Sequence, residues 1–520
     1  MSKAERVLVV DYGGQYTHLI SRRCRELGVY AEIIPEESAL VRQDLSGVKG
    51  IIFSGGPRSI DESDLDQDFE SDMKHIREYG IHVLGICFGH QLLAVWKGAK
   101  LSAGGNPEYG ETKLQVLDDE SILQDLNDGQ SVWMSHSDEV VEIPDGLEPL
   151  ALSGDSRIAA FKDEENKVFG VQFHPEVAHT PNGRSVLERF LRNQCGYVGH
   201  WTPEDEVSHI LNAIQREVGM GRVLMGTSGG VDSTVAACLI KKAIGDRLYC
   251  VFVDNGLLRA GERREVERAF EEMDFKHFVV IDASRRFISR LKGIEDPEEK
   301  RETIADTFIE VFEEKAKQLE SEFGAFEFLG QGTIYPDRVE SAATGKGTSV
   351  IKSHHNVRLP TWMTLKPVEP LKNLYKDEVR EVGAILEIPD YLVSRQPFPG
   401  PSLAIRIGGS VTEEQVDILR KADSILQHEL QDHAIYASIW QSFCVLLPVR
   451  SVGVMGDERT YEQAAVIRIV ESSDAMTASV ARPEWDLLLG IASRIVNEVD
   501  GINRVVYDIT SKPPGTIEWY

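Results

Sequence analysis

The sequence predicts an α/β protein: two parallel-sheet α/β domains, then a smaller α/β domain. Three observations predict it. From residue 6 onward, short apolar runs alternate with amphipathic stretches, the pattern of a parallel sheet with helices on both faces. The pattern restarts after the junction Gly199-His-Trp-Thr-Pro203. It breaks again at Gln396-Pro-Phe-Pro-Gly-Pro401, where prolines 397, 399 and 401 remove donors and exclude a helix. The expected domains are therefore 6–200, 201–395 and 396–520. A length of 520 residues is also too great for one core.

In the first segment the apolar runs Val7–Val10, Gly50–Phe53, Ile81–Ile86 and Val168–Phe173 read as strands. Gln15–Leu27 and Phe69–Tyr79 read as helices between them. The acid-rich stretch Asp61–Asp72 reads as a solvated loop entering a helix, where carboxylates meet the positive end of the helix dipole. In the second segment a helix over 204–217, strand Arg222–Thr227, a helix to residue 243 and strand Leu248–Asp254 follow in order. The third segment holds the apolar run Phe443–Val449 and a helix over Trp485–Val499.

Composition narrows the function. Hydrophobic residues at 42% and charged residues at 27% describe an ordinary globular protein. A net charge of −28 argues against nucleic-acid and acidic-membrane partners, which need a basic face. It leaves room for small anionic substrates held by local cations or helix N-termini. No apolar run approaches the roughly 20 residues that span a bilayer, and the N-terminus reads as no signal peptide. The 6 cysteines, at 24, 87, 195, 238, 250 and 444, form no C-x-x-C pair. Their scatter suits a reducing cytoplasm.

Two motifs carry chemistry. In Gly85-Ile-Cys-Phe-Gly-His-Gln91 an apolar strand runs into a helix with Cys87 at the corner. Free backbone N–H groups and the helix dipole favour thiolate there, and Gly85 and Gly89 permit the tight turn. A lone cysteine is more often a small buried hydrophobe. Phe173-His-Pro-Glu176 changes that reading, because it supplies a base, His174, and an orienting carboxylate, Glu176. His90 lies inside the helix and reads as structural. The second motif is Ser228-Gly-Gly-Val-Asp-Ser-Thr234, between a strand and a helix. Its glycines let N–H groups point at an anion, and Ser228, Ser233 and Thr234 add hydroxyls. The lysine of a Walker loop is absent.

The first motif resembles the class I glutamine amidotransferases. The resemblance implies Cys87 as nucleophile, with His174 and Glu176 completing the triad. Ser54-Gly-Gly-Pro57 resembles that family's oxyanion loop, so Gly55, Gly56 and Phe88 would hold the tetrahedral oxygen. The second motif resembles the ATP pyrophosphatases, with Ser228, Gly229, Gly230, Val231, Asp232, Ser233 and Thr234 around ATP. Asp232 is then the expected Mg²⁺ ligand.

Both motifs in this order resemble the glutamine-hydrolysing GMP synthases. Asp254-Asn-Gly-Leu-Leu-Arg259, Gly330-Gln-Gly-Thr-Ile-Tyr-Pro-Asp337, Phe398-Pro-Gly-Pro401 and Ser511-Lys-Pro-Pro-Gly-Thr-Ile-Glu518 extend the resemblance from residue 6 to the C-terminus. It implies an enzyme that takes ammonia from glutamine and aminates xanthosine monophosphate (XMP), releasing GMP, AMP, pyrophosphate and glutamate. It implies Arg301, Gln441, Arg504, Lys512 and Glu518 at XMP, and Lys352 on a mobile lid at ATP. It also implies a cytoplasmic homodimer joined through the third domain. The Lys512–Glu518 segment argues against a ligase of the NAD synthetase type. Three departures from the family stand out: a lid shorter by one residue near Arg358, Ser402 where glycine is usual, and a terminal Tyr520. The tail is expected to dock through Ile517 and Trp519, on one face of an extended segment.

Overall fold

Val7–Val10 contains no polar side chain, and it forms the buried centre of strand Arg6–Asp11. This strand belongs to a computed structural model that describes residues 5–36, 40, 44–60, 62–102, 108–118, 121–154, 157–337, 365–455, 457–472 and 477–520. The chain divides into two compact units, Met1–Glu206 and Val207–Tyr520.

In the first unit, strands Ala31–Pro35, Arg6–Asp11, Val48–Phe53, His82–Ile86 and Val168–Val171 pair in parallel in that spatial order. Successive residues of a strand face opposite sides. Val7, Val9, Ile52, Leu84 and Ile86 accordingly enter one apolar cluster. Leu8, Val10, Ile51, Phe53 and Val83 enter another. Burial of both faces explains why these strands read as continuous apolar runs. Helices Thr17–Glu26, Gln67–Glu78 and Phe88–Trp96 lie between them in the chain. The acid-rich stretch does lead into a helix. Asp66 caps it, accepting from the N–H groups of Asp68 and Phe69 at 2.9 Å each.

The sheet does not stop at its parallel strands. It continues antiparallel through Arg157–Asp163, Glu148–Ser153, Glu108–Val116 and Ser131–His136, making nine strands. The strand expected to reach Phe173 ends at Val171, and Gln172–His174 leave the ladder.

The second unit contains a wholly parallel five-stranded sheet in the order Phe278–Asp282, Leu248–Asp254, Val223–Thr227, Phe328–Gly330 and Lys366–Val368. A four-stranded sheet follows. It is built on the hairpin of Gln441–Met455 and Glu458–Glu471, with Ile502–Tyr507 parallel to the second arm. Helices Glu413–Gln431 and Trp485–Glu498 cover it through Leu419, Leu426, Ile491 and Ile495. These residues share one apolar cluster with Leu224 and Val251 of the parallel sheet. The two sheets are thus fused by a common core. The proline segment between them is non-helical up to Gly400, as its composition requires.

Ser402, where the resembled family carries glycine, sits at φ 56° and is 3% exposed. Its hydroxyl donates to Gly400 O at 3.3 Å and accepts from Asn255 Nδ2 at 3.4 Å. An L-residue in this region is strained by about 1 kcal/mol. Ser402→Gly and Ser402→Ala both lose the hydroxyl, but glycine alone sheds the strain. Denaturant titration should therefore rank Ser402→Gly above Ser402→Ala by about 1 kcal/mol. Equal stabilities would show that the backbone relaxes to accommodate the side chain.

Candidate active sites

The first site forms where strand His82–Ile86 turns into helix Phe88–Trp96. Cys87 occupies the corner at φ 55°, ψ −103°, a conformation that costs an L-residue on the order of 1–3 kcal/mol. Close packing holds it there. A methyl on Gly85 would lie 2.3 Å from Gly89 O, and one on Gly89 would lie 2.4 Å from Phe53 O. Strand and helix backbones therefore touch through these two glycines. The Cys87 N–H donates to Val171 O at 2.9 Å, which pins the corner to the neighbouring strand.

His174 reaches the corner from the segment after that strand. Its N–H donates to Trp133 O at 3.0 Å, and its carbonyl accepts from Thr180 Oγ1 at 2.7 Å. Its Nδ1 donates to Glu176 Oε1 at 2.7 Å, which leaves Nε2 for a second partner; Cys87, whose Sγ donates to Ser135 O at 3.6 Å, is close enough to act on the ring. Glu176 is fully buried, and its carbonyl accepts from Arg23 Nε at 3.0 Å. Burial alone would depress the His174 pKa. The Glu176 charge, and hydrogen bonds in which the ring donates to Glu176 and Cys87, outweigh it and hold the ring well above the ordinary histidine range. Gly55 lies beside the pair, since a methyl there would stand 3.3 Å from His174 Cε1 and 3.7 Å from Cys87 Cβ. Gly56 abuts the Phe88 ring at 3.2 Å by the same measure. His90 is buried against Phe161, and burial pushes its pKa down to about 3. It is a neutral core residue.

The second site opens at the end of the central strand Val223–Thr227 and leads into helix Val231–Ile244. Gly229 adopts φ 73°, and a methyl on it would strike Val266 Cγ2 at 2.4 Å. The loop is braced by its own hydroxyls. Ser228 N–H donates to Ser233 Oγ at 3.3 Å, and Gly230 N–H donates to Ser228 Oγ at 3.3 Å. Ser233 Oγ and Thr234 Oγ1 donate to Gly230 O at 3.1 and 2.9 Å. The first-turn N–H groups of the helix have no intrahelical acceptor, so the loop presents donors to an anion. Asp232 stands in that turn, with Lys376 Nζ 2.6 and 2.7 Å from its two oxygens. Its carboxylate is thus a hard oxygen donor that already holds a cation. Mg²⁺ bound by one or two carboxylates plus substrate phosphates suits such a donor. Among the described residues no three His, Cys, Asp or Glu side chains converge, so a wholly protein-made metal cage is not found there. Lys352 and Arg358 lie outside the described residues.

The residues expected at the acceptor are partly brought together. Gln441 Nε2 donates to Glu518 Oε1 at 2.6 Å and to Pro397 O at 3.1 Å. Arg301 Nη2 donates to Tyr520 O at 2.5 Å. Lys512 pairs through its backbone with Ala478 at 2.8 and 3.0 Å. Arg504 is exposed on strand Ile502–Tyr507 and bonds Ser451 Oγ at 3.2 Å, within the hairpin rather than with Gln441 and Glu518. The tail docks, but not as an extended segment. Turns interrupt it, so Ile517 and Tyr520 pack on the cluster of Phe443, Val445 and Val466, while Trp519 remains 37% exposed.

Sequence reasoning missed Lys376, Arg395, Arg406 and Arg468. Arg395 donates to Gly229 O at 3.1 Å and pairs with Glu262 at 2.5 Å, bracing the glycine loop. Arg406 and Arg468 had a readable signal, since each is a single cation inside an apolar run. Lys376 had none.

The fold and its sites define a glutamine amidotransferase joined to an ATP pyrophosphatase. Residues 8–194 match the family model of the class-I glutamine amidotransferases. Residues 204–271 match that of NAD synthase, and residues 428–519 that of the GMP synthase C terminal domain. The chain is 50% identical to the glutamine-hydrolyzing GMP synthase of Symbiobacterium thermophilum over 515 residues, covering 99% of this chain and 98% of that protein. It is 49% identical to that of Nitratiruptor over 518 residues, covering 99% of each. It is also 49% identical to that of Aquifex aeolicus over 514 residues, again covering 99% of each. The chain belongs to the glutamine-hydrolysing GMP synthase family.

The raised pKa of His174 sets a pH dependence. The folded state holds that proton more tightly than the unfolded chain. The pair therefore stabilises the unit fully below pH of about 6.5, and loses that contribution as pH rises through the raised folded value. Glu176→Gln should move the His174 titration to lower pH, as followed by NMR of its ring protons. An unmoved titration would show that the carboxylate does not govern the ring.

Proposed function

We propose that this chain makes GMP by aminating XMP with ammonia from glutamine, while ATP is cleaved to AMP and pyrophosphate. One observation carries the reading. A corner cysteine paired with His174 and Glu176 shares the chain with a lysine-free phosphate loop at a helix start. Neither alone calls for an acceptor; together they supply ammonia and an activated leaving group.

In this reading the Cys87 thiolate attacks the glutamine side-chain amide, and His174 passes the proton to the departing ammonia. Glu176 keeps the imidazole in the orientation and tautomer that this needs. Gly55, Gly56 and Phe88 offer backbone N–H groups to the oxygen of the tetrahedral intermediate. Residues Ser228–Thr234 cradle the ATP phosphates, and Lys352 is the further cation assigned to them. Asp232 would hold Mg²⁺, which when bound neutralises phosphate charge. Lys376, which bonds both Asp232 oxygens, answers that carboxylate's charge. The XMP 2-oxo group is adenylated, and ammonia displaces AMP from it. Glu518 accepts from a purine N–H, with Gln441 beside it, and Arg301, Arg504 and Lys512 offer positive charge to the anionic acceptor. The match of residues 428–519 to a GMP synthase domain favours XMP over the acceptor of an NAD synthetase.

The three-part division at 6–200, 201–395 and 396–520 is supported by the three principal sheets. The homodimer is supported by Val449, Val452, Val454 and Tyr461, which lie 44–76% exposed on the hairpin. A cytoplasmic location is supported by the unpaired state of all the cysteines. No helix among the described residues is long and apolar enough to cross a membrane.

Cys87→Ala should abolish synthesis from glutamine and spare synthesis from added ammonium, measured as GMP by mass spectrometry. Equal loss with both donors would sink the two-site reading. Asp232→Ala should eliminate AMP formation with either donor. Near-normal AMP release in that variant would leave the loop a purely structural role.

A further inference from the structure

The segment Leu403-Ala-Ile-Arg-Ile407 is buried along its whole length, and Arg406 within it is 0% exposed. Its guanidinium carbon stands 4.1 Å from the centroid of the Phe443 ring and 5.0 Å from that of Phe398. Its Nε and Nη2 donate to Glu518 Oε2 and Oε1 at 3.0 and 2.8 Å, a two-pronged pair. Its Nη1 has no hydrogen-bond partner among the described residues. A guanidinium keeps its charge at any pH a protein meets, so this buried cation constantly demands the Glu518 carboxylate.

The carboxylate is held from a second side. Gln441 Nε2 reaches Glu518 Oε1 at 2.6 Å. Of roughly four acceptor directions on a carboxylate, Oε1 spends two and Oε2 one. One direction on Oε2 remains, and the Glu518 side chain keeps 20% exposure. The same frame reaches the proline segment, since Gln441 also donates to Pro397 O and Phe398 lies against Arg406. Arg259 stacks on Phe398 at 5.0 Å, donates to Ser442 O at 2.9 Å and pairs with Asp423 at 3.1 Å. Phe398 is thereby fixed between two anchored guanidinium groups.

We propose that Arg406 is a positioning residue of the acceptor site. It holds the Glu518 carboxylate so that its remaining acceptor direction meets an N–H of the acceptor purine, without touching the purine itself. This rests on the reading of Glu518 as the purine contact given above. Two orienting prongs match a planar carboxylate, whereas a lysine would supply a point charge and leave the carboxylate free to rotate.

The test is a double-mutant cycle in the full chain, with ammonium as nitrogen donor so that Cys87 plays no part. Arg406→Lys should raise the KM for XMP about 10- to 100-fold and leave the KM for ATP unchanged. Glu518→Gln should raise the KM for XMP as well. The double variant should be no worse than Glu518→Gln alone, because Arg406 acts through Glu518. Additive effects would overturn the proposal, as would parallel loss of ATP affinity. A raised KM in Glu518→Gln with an unchanged one in Arg406→Lys would sink the role of Arg406 and spare that of Glu518. An unchanged KM in Glu518→Gln would instead remove the purine contact, and the proposal with it. Glu518→Asp leaves Arg406 unsubstituted and keeps a negative partner for it. It draws the carboxylate back by one methylene, and should raise the KM for XMP even if Arg406→Lys fails to fold. An unchanged KM there would overturn the proposal.

Discussion

A buried guanidinium cannot shed its proton, so its surroundings must answer the charge, and in the second unit that demand sets the course of residues 508–520. Arg468 is 1% exposed inside the buried, apolar second half of strand Glu458–Glu471. It pairs with Asp508 at 2.6 Å and donates to the carbonyls of Thr510, Ile517 and Thr516 at 2.9, 2.8 and 2.7 Å. Those bonds wrap the tail back over the sheet. Glu518 then falls against Arg406 and Gln441, and Tyr520 against Arg301. The tail is thus routed by cations as much as by apolar anchors. Removing the carboxylate of such a pair leaves a buried guanidinium isolated, typically at a cost of about 3–5 kcal/mol.

The two chemical sites share one design and solve opposite problems with it. Each sits where a parallel strand ends and a helix begins. The proposed nucleophile needs a side chain at the corner, so Cys87 accepts the positive φ and glycines go to the packing positions on either side. The proposed phosphate loop needs bare backbone at the corner, so Gly229 takes the positive φ and hydroxyls brace the turn. Glycine therefore supports the first site from its flanks and forms the second outright.

The sequence made the parallel strands legible because both their faces are buried, so Val7–Val10 and Leu248–Asp254 read as unbroken apolar runs. The antiparallel extension was not legible. Glu108–Val116 is Glu-Tyr-Gly-Glu-Thr-Lys-Leu-Gln-Val, alternating between exposed and half-buried positions over most of its length, and its pairing depends on partners distant in the chain. Cys87, His174, Glu176 and Ser228–Thr234 were legible because each motif is short and local. The ion-pair frame was not. Lys376 meets Asp232 across 144 residues, and nothing in its own neighbourhood marks it. The tail anchors were half legible. Ile517 was read correctly, but an assumed period of two pointed to Trp519, and the turns after Lys512 turned Tyr520 inward instead.

The spans of these contacts also bear on the rate at which the chain folds. His174 and Glu176 are separated by 2 residues, whereas Glu518 closes on Gln441 over 77, on Arg406 over 112, and Arg301 on Tyr520 over 219. Loop-closure entropy grows slowly with length, by about 0.6 kcal/mol per doubling, so such closures weigh little on final stability. They weigh heavily on rate, because distant segments must already be held near one another before their contacts can form. The tail contacts therefore raise the mean sequence separation of contacts in the second unit, and with it the time the unit needs to fold, far more than they alter its stability.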